Sequence, residues 1–137
     1  MSVMRRASAE TMRTLQDVRQ ALAAHTERRG DRLEVRYLSG WIALRSTVAG
    51  RAFAEVRPSR KGMELFLLPP RAVLRDPRGL ATAVLPSRGW GWFRTRVKVE
   101  NGASSNYAAD LLRQSYEFAR RMPGRRAKGR VSSPVRR

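Results

Sequence analysis

The chain has 137 residues, of which 29 are lysine or arginine and 11 are aspartate or glutamate, so its formal net charge is +18. This length is typical of one domain with one hydrophobic core. No stretch approaches the ~18 consecutive apolar residues of a membrane-spanning helix, and the lack of cysteine excludes disulfides and the usual structural zinc sites. We therefore expect a cytoplasmic protein, without cofactor or metal, whose positive charge attracts polyanions; GC-rich coding is the alternative origin of its many arginines.

An amphipathic helix is predicted over residues 8–29. Ser8 is a good N-cap, Gly30 supplies the stop, and apolar residues recur between them at helical spacing, at Met12, Leu15, Val18 and Leu22. His25, the one histidine, extends the same stripe. We interpret it as a structural residue rather than a catalytic one.

Alternating apolar and polar residues then predict an antiparallel sheet of four or five strands within residues 33–100. The candidate strands, most of them joined by short polar turns, are Leu33–Tyr37, Trp41–Arg45, Arg51–Arg57, Met63–Leu68 and Phe93–Glu100. Proline and glycine interrupt residues 71–91 so often that we expect mostly loop there.

A second helix is predicted over residues 104–122, because Leu111, Leu112, Phe118 and Met122 lie along one of its faces and Pro123 stops it. The fold class is therefore α+β, a single domain over residues 1–122 with both helices on one face of the sheet. Residues 123–137 are rich in arginine and lack the apolar content that would offset the entropy of ordering them. We expect them to form a disordered basic tail.

The strand alternation places aromatic and basic side chains on the sheet face opposite the helices. These side chains are Trp41, Arg45, Phe53, Arg57, Phe66, Arg94, Arg96 and Lys98. Nucleic-acid bases can stack on such a platform while their phosphates meet positive charge. The alternative is that Trp41 and Phe53 are core or dimer contacts and that the arginines only keep a solvated face soluble.

Two other segments offer cations to phosphate. The glycine-containing stretch Ser87–Trp92 presents Arg88 and backbone N–H groups, although it is also typical of a loop whose tryptophans close over the edge of the core. The tail contributes further cations that can reach a polyanion, namely Arg125, Arg126, Lys128 and Arg130.

No catalytic residues are expected, because the acidic side chains are scattered along the chain rather than clustered. Glu55 is the acid least easily dismissed, since it lies within a predicted strand with Arg57 two residues later. We interpret it as half of an ion pair. The protein is therefore not predicted to be an enzyme.

Five segments resemble an uncharacterised bacterial domain family that is catalogued as a domain of unknown function. The segments are Trp41–Arg45, Phe53–Pro58, Met63–Leu67, Gly91–Val99 and Leu111–Glu117, and the match spans Arg36 to Ala119. Members of that family occur alone or appended to predicted nuclease-type domains. The resemblance implies a small accessory domain in nucleic-acid transactions such as restriction or genome defence, with no catalytic residues to carry over.

Together these features predict a non-catalytic protein that binds DNA or RNA, mainly through the phosphate backbone and with low sequence specificity. The alternative, from another functional class, is a protein-interaction module that docks on an acidic partner such as a nuclease subunit. Attachment to a membrane is not expected, because no apolar anchor or lipidation site accompanies the basic tail. The oligomeric state stays open.

Overall fold

The computed structural model describes residues 7–84, 93–102 and 105–122. Within them the chain forms two α-helices and a six-stranded antiparallel sheet, which confirms the α+β class. None of the helices in the described part is long and apolar enough to cross a membrane. The predicted tail, residues 123–137, lies outside the described residues.

The elements follow one another in a simple order. Helix α1 (Ala9–Arg28) precedes four strands, β1 (Leu33–Tyr37), β2 (Ile42–Ser46), β3 (Arg51–Pro58) and β4 (Gly62–Leu67). A short 3-10 turn (Arg71–Val73), strand β5 (Ala81–Ala83), strand β6 (Thr95–Glu100) and helix α2 (Ser105–Arg121) complete them. The strand order across the sheet is β1-β2-β3-β4-β6-β5, with every pair antiparallel.

Helix α1 begins after its predicted N-cap and ends just before the predicted glycine stop. The Ser8 side chain accepts a hydrogen bond from the backbone N–H of Thr11, as an N-cap does. Past the other end, Gly30 adopts a φ of 71°, in the left-handed region where glycine lacks the steric cost of a side chain. The chain then reverses into β1.

Both helices pack on one face of the sheet. Alternating residues of the strands form this helix-side face, which is apolar and largely buried and includes Val35, Ile42, Leu44, Val56, Leu65, Leu67, Val97 and Val99. Leu15, Val18 and Leu22 of α1 line a small cavity together with several of them. On α2, the buried Ser115 hydroxyl donates to the Phe53 carbonyl at 2.5 Å and accepts from the Leu68 N–H at 2.9 Å.

A β-bulge between β2 and β3 changes the direction of one predicted side chain. Leu44 pairs with Ala54 and Arg45 pairs with Ala52, which leaves Phe53 without a partner on β2. An extra residue of this kind interrupts the alternation of faces. Phe53 therefore turns toward the helices, where it is fully buried with its ring 5.4 Å from that of Tyr116. Phe53 is therefore a core residue, as the alternative prediction stated, and its predicted place on the face opposite the helices is wrong.

The predicted strand count also needs correction, because β5 lies in the stretch that we expected to be mostly loop. Asp76 holds the start of β5 in place. Its carboxylate accepts hydrogen bonds from the Ala81 N–H at 2.7 Å and from the Tyr107 hydroxyl. The chain is thereby turned so that Ala81–Ala83 pairs with β6. Three residues are too few for a recognisable alternation, so the sequence pattern did not reveal this strand.

Candidate nucleic-acid interface

The sheet face opposite the helices, called the distal face here, combines charged and aromatic side chains. The strand registers place on it Glu34, Ala43, Arg45, Glu55, Arg57, Glu64, Phe66, Arg96 and Lys98. Residues of opposite charge are register partners on neighbouring strands: Arg57 is opposite Glu64, and Glu64 is opposite Lys98. The face therefore has the basic and aromatic character that the alternation predicts, with carboxylates among the cations.

A stack of three side chains lies on this face. The guanidinium carbon of Arg57 is 5.5 Å from the centroid of the Trp41 ring and 5.1 Å from that of Phe66. Both distances are within the ~6 Å range of a favourable cation–π contact. Phe66 is only 2% exposed whereas Trp41 is partly exposed, so Trp41 is the ring of this stack that a ligand can reach.

A cleft of about 820 Å³, called the turn groove here, opens beside Trp41 at the end of the sheet where β3 turns into β4. Its lining comprises Gly40, Trp41, Arg57, Pro58, Ser59, Arg60, Lys61, Gly62, Met63, Glu64, Lys98, Val99 and Glu100. Four of these residues are cationic and two are acidic. One of the acids, Glu64, forms an ion pair with Arg96 at 3.3 Å, so the groove keeps a positive balance.

The turn that carries Arg60 and Lys61 is held through its backbone. The Thr11 hydroxyl lies 2.8 Å from the Ser59 carbonyl and 3.3 Å from that of Arg60. Asn101 donates its side-chain amide to the Arg60 carbonyl at 2.9 Å and its backbone N–H to the Lys61 carbonyl at 2.8 Å. These hydrogen bonds to the carbonyls of the turn fix its backbone. Less conformational entropy is therefore lost when Arg60 and Lys61 bind a ligand.

Gly62 closes this turn at a point where a side chain does not fit. A Cβ built on it would lie 2.1 Å from the Val99 carbonyl oxygen and 2.8 Å from the Glu100 Cα. Real Cβ atoms do not approach backbone that closely. The close approach of β4 and β6 at the groove therefore requires glycine here.

The structure brings together only some of the predicted binding residues. Trp41, Arg57 and Lys98 line the turn groove. Elsewhere on the distal face, Arg45 forms an ion pair with Glu34 at 3.5 Å, and Arg96 forms one with Glu64 at 3.3 Å.

Other predicted binding residues lie away from the groove or outside the residues that the structure describes. Arg94 is exposed just before β6. Phe66 is the buried member of the stack, so its ring is not placed to receive a base. Five of the predicted cations lie outside the described residues: Arg88, Arg125, Arg126, Lys128 and Arg130.

Sequence reasoning missed Arg60 and Lys61. They lie in a turn, where no periodicity assigns side chains to a face. The signal available was two adjacent cations between Pro58 and Gly62, at a reversal between two strands that both border the predicted basic face. Their role in the groove depends on long-range contacts that a local pattern does not contain.

Glu55 does not form the ion pair that was expected. No salt bridge joins it to Arg57 or to any other cation in the described residues, and one of its carboxylate oxygens is buried without a hydrogen-bond partner. Burial raises the pKa of Glu55, and the nearby charge of Arg57 acts in the opposite direction. The described part of the chain contains no group of three or more His, Cys, Asp or Glu side chains that could hold a metal ion.

His25 belongs to a cluster between the helices. Its Nε2 lies 2.8 Å from a carboxylate oxygen of Glu117, and its ring meets Tyr116 edge-on at 5.6 Å. The same carboxylate receives two hydrogen bonds from Arg29. This histidine therefore links α1 to α2, as its interpretation as a structural residue requires.

Comparison with known proteins adds no relative to this description. No family model matches the chain. Neither a curated protein nor a solved structure is significantly similar to it. The resemblance to the uncharacterised bacterial family stays a prediction, and the functional argument depends on the site alone.

Proposed function

We propose that this protein binds nucleic acid, through contacts of the turn groove with the phosphate backbone and without catalysing a reaction. The observation that carries the proposal is the convergence of Arg57, Arg60, Lys61 and Lys98 on one cleft beside Trp41. The overall charge of +18 attracts a polyanion over a long range. The groove concentrates four of the cations at one place.

Phosphate contact accounts for affinity but not for sequence preference. Lysine and arginine that neutralise phosphates release condensed counterions, which makes binding strong at low salt and weak at high salt. Such contacts carry no information about the bases. We therefore propose low sequence specificity. An accessory role in restriction or genome defence is a separate proposal, which rests on the family resemblance and not on the groove.

The proposal leaves out catalysis because three ionisable groups of the kinds that enzymes commonly use are engaged in structural contacts. His25 lies against Glu117, Asp31 accepts hydrogen bonds from Ser46 and Tyr116, and Asp76 holds the start of β5. None of the three lines the turn groove. Binding, rather than a reaction, is the function that this arrangement favours.

The test is the salt dependence of binding to unrelated oligonucleotides, measured by fluorescence anisotropy with the full chain. Each lost phosphate contact lowers the slope of log affinity against log salt by about 0.7–0.9. The double substitution Arg60→Ala/Lys61→Ala should therefore reduce the slope by about 1.5 units for all sequences alike.

A matched control removes a cation elsewhere on the fold. Arg28 is exposed near the end of α1, about 25 Å along the helix from Thr11, which contacts the groove turn. Arg28→Ala should leave the slope unchanged. Absence of binding at low salt would contradict the proposed function, and capture of one acidic protein instead would favour the interaction-module alternative.

A further inference from the structure

The turn groove contains more than phosphate binding needs. An aromatic ring, Trp41, forms part of its wall, and two carboxylates, Glu64 and Glu100, also line it. Carboxylates repel phosphate, but they accept hydrogen bonds from the amino groups of bases. An aromatic surface beside cations is what an unpaired base can use, since every base has a face that stacks.

We propose that the turn groove binds unpaired nucleotides, with a base against Trp41 and the flanking phosphates near Arg60, Lys61 and Lys98. This inference rests on the proposed nucleic-acid binding and names its ligand as a single-stranded segment. A duplex does not suffice, because its base faces are covered by their stacked neighbours. The groove volume of about 820 Å³ lies within the ~300–1,000 Å³ range of pockets for small organic ligands, the size class of a nucleotide.

The ring that would receive the base is held in place before binding. Arg57 stacks on Trp41 and is itself placed against Phe66, whose 2% exposure shows it to be part of the packed interior. A guanidinium stacks favourably on aromatic faces, so these contacts favour one position of the Trp41 ring. Because that position is favoured before binding, less conformational entropy is lost when a base stacks on the ring.

The experiment compares three probes with the full-length chain. They are a short single-stranded oligonucleotide of mixed sequence, the same oligonucleotide annealed to its complement, and an abasic oligonucleotide of equal length. Trp41→Ala should weaken binding of the single strand roughly 5- to 150-fold, the effect of losing one stacked base. It should leave binding of the duplex and of the abasic probe within about twofold, because those probes place no base on the ring.

Two variants separate stacking from a loss of folding. Trp41→Phe keeps an aromatic ring and should retain most of the affinity for the single strand, while the fluorescence quenching that this probe causes in the wild type should fall. Tyr37→Ala removes an aromatic side chain that is 50% exposed and lies outside the groove, and it should leave the binding of all three probes unchanged. Thermal melts of each variant report whether the fold is intact.

Each outcome is decisive for one of the two claims. If no probe binds at any salt concentration, the proposed function fails. If the probes bind but the abasic strand binds as tightly as the base-bearing one, or if quenching is identical in the wild type and Trp41→Phe, phosphate binding stands and the base-stacking groove is wrong. Should Trp41→Ala not fold, the abasic comparison and the quenching of Trp41→Phe still decide.

Discussion

Asp31 shows how completely a carboxylate can be engaged in structure. Its side chain is 0% exposed and accepts hydrogen bonds from the Ser46 hydroxyl, the Val48 N–H and the Tyr116 hydroxyl. Burial alone would raise the pKa of Asp31, but these hydrogen bonds hold it below its usual range. The residue therefore joins the start of β1, the β2–β3 turn and α2, and leaves no acceptor free for chemistry.

The contacts of Glu117 make the stability of the fold depend on pH in the acid range. Hydrogen bonds from Arg29, with His25 adding a second contact, lower the pKa of Glu117 from 4.5 to about 2, although burial acts in the other direction. A lowered folded-state pKa means that the stabilisation is complete above the unfolded-state value and is lost as pH falls toward 2. Glu117→Gln should lower Tm at neutral pH and show a smaller further fall in acid.

The control for this prediction is Glu27→Gln, which removes an exposed carboxylate of α1 that makes no ion pair in the described residues. Its Tm should follow the wild-type curve. The contrary outcome is that Tm falls with pH by the same amount in Glu117→Gln and in the wild type. That result would show that the contacts of Glu117 with Arg29 and His25 do not stabilise the fold.

The β3–β4 turn is the element on which the groove depends, and Gly62 is its tightest point. Gly62→Ala would drive a methyl group into the Val99 carbonyl, so β4 and β6 must separate. We expect a loss of about 3 kcal/mol in the free energy of unfolding, at the upper end of the cost of overpacking. Denaturant unfolding measures it.

Gly40→Ala is a matched control for that substitution, since a Cβ at Gly40 meets nothing within 4 Å. It should change stability by no more than about 0.5 kcal/mol. Equal stability of the two variants would mean that the β4–β6 pairing tolerates a side chain at its end and that the turn is not held as tightly as its contacts indicate.

The regular elements were predictable because their patterns are local. Residues 8–29 were predicted as the first helix, which spans Ala9–Arg28, and the alternation of Thr95, Val97 and Val99 marks β6. Periodicity does not determine register, however. The bulge at Phe53 depends on packing against Tyr116, a contact between segments far apart in the sequence.

The candidate site was predictable in character and not in shape. Basic and aromatic side chains on the distal face follow from alternation, and Trp41, Arg57 and Lys98 were found in this way. The groove itself exists because Thr11 and Asn101 hold the β3–β4 turn from two other elements. No pattern in the turn sequence reports those contacts.

Fifteen of the eighteen net charges lie either in the described residues or in the C-terminal segment, residues 123–137. Residues 123–137 contain six lysines and arginines and no acidic residue, out of a net charge of +18. Nine further net charges remain in residues 7–84, 93–102 and 105–122. If the segment and the groove contact the same polyanion at separate places, their contributions to binding should add.

Removal of residues 123–137 tests this division. With six cations in the segment, the slope of log affinity against log salt should become flatter by up to about 4 units for single strands, while Tm stays within measurement error. The fold-change caused by Trp41→Ala should be the same in the truncated and the full chain, because stacking in the groove does not involve the segment. An unchanged slope would show that these cations do not touch phosphate, and a Trp41→Ala effect that disappears on truncation would show that the groove binds only when the segment holds the strand in place.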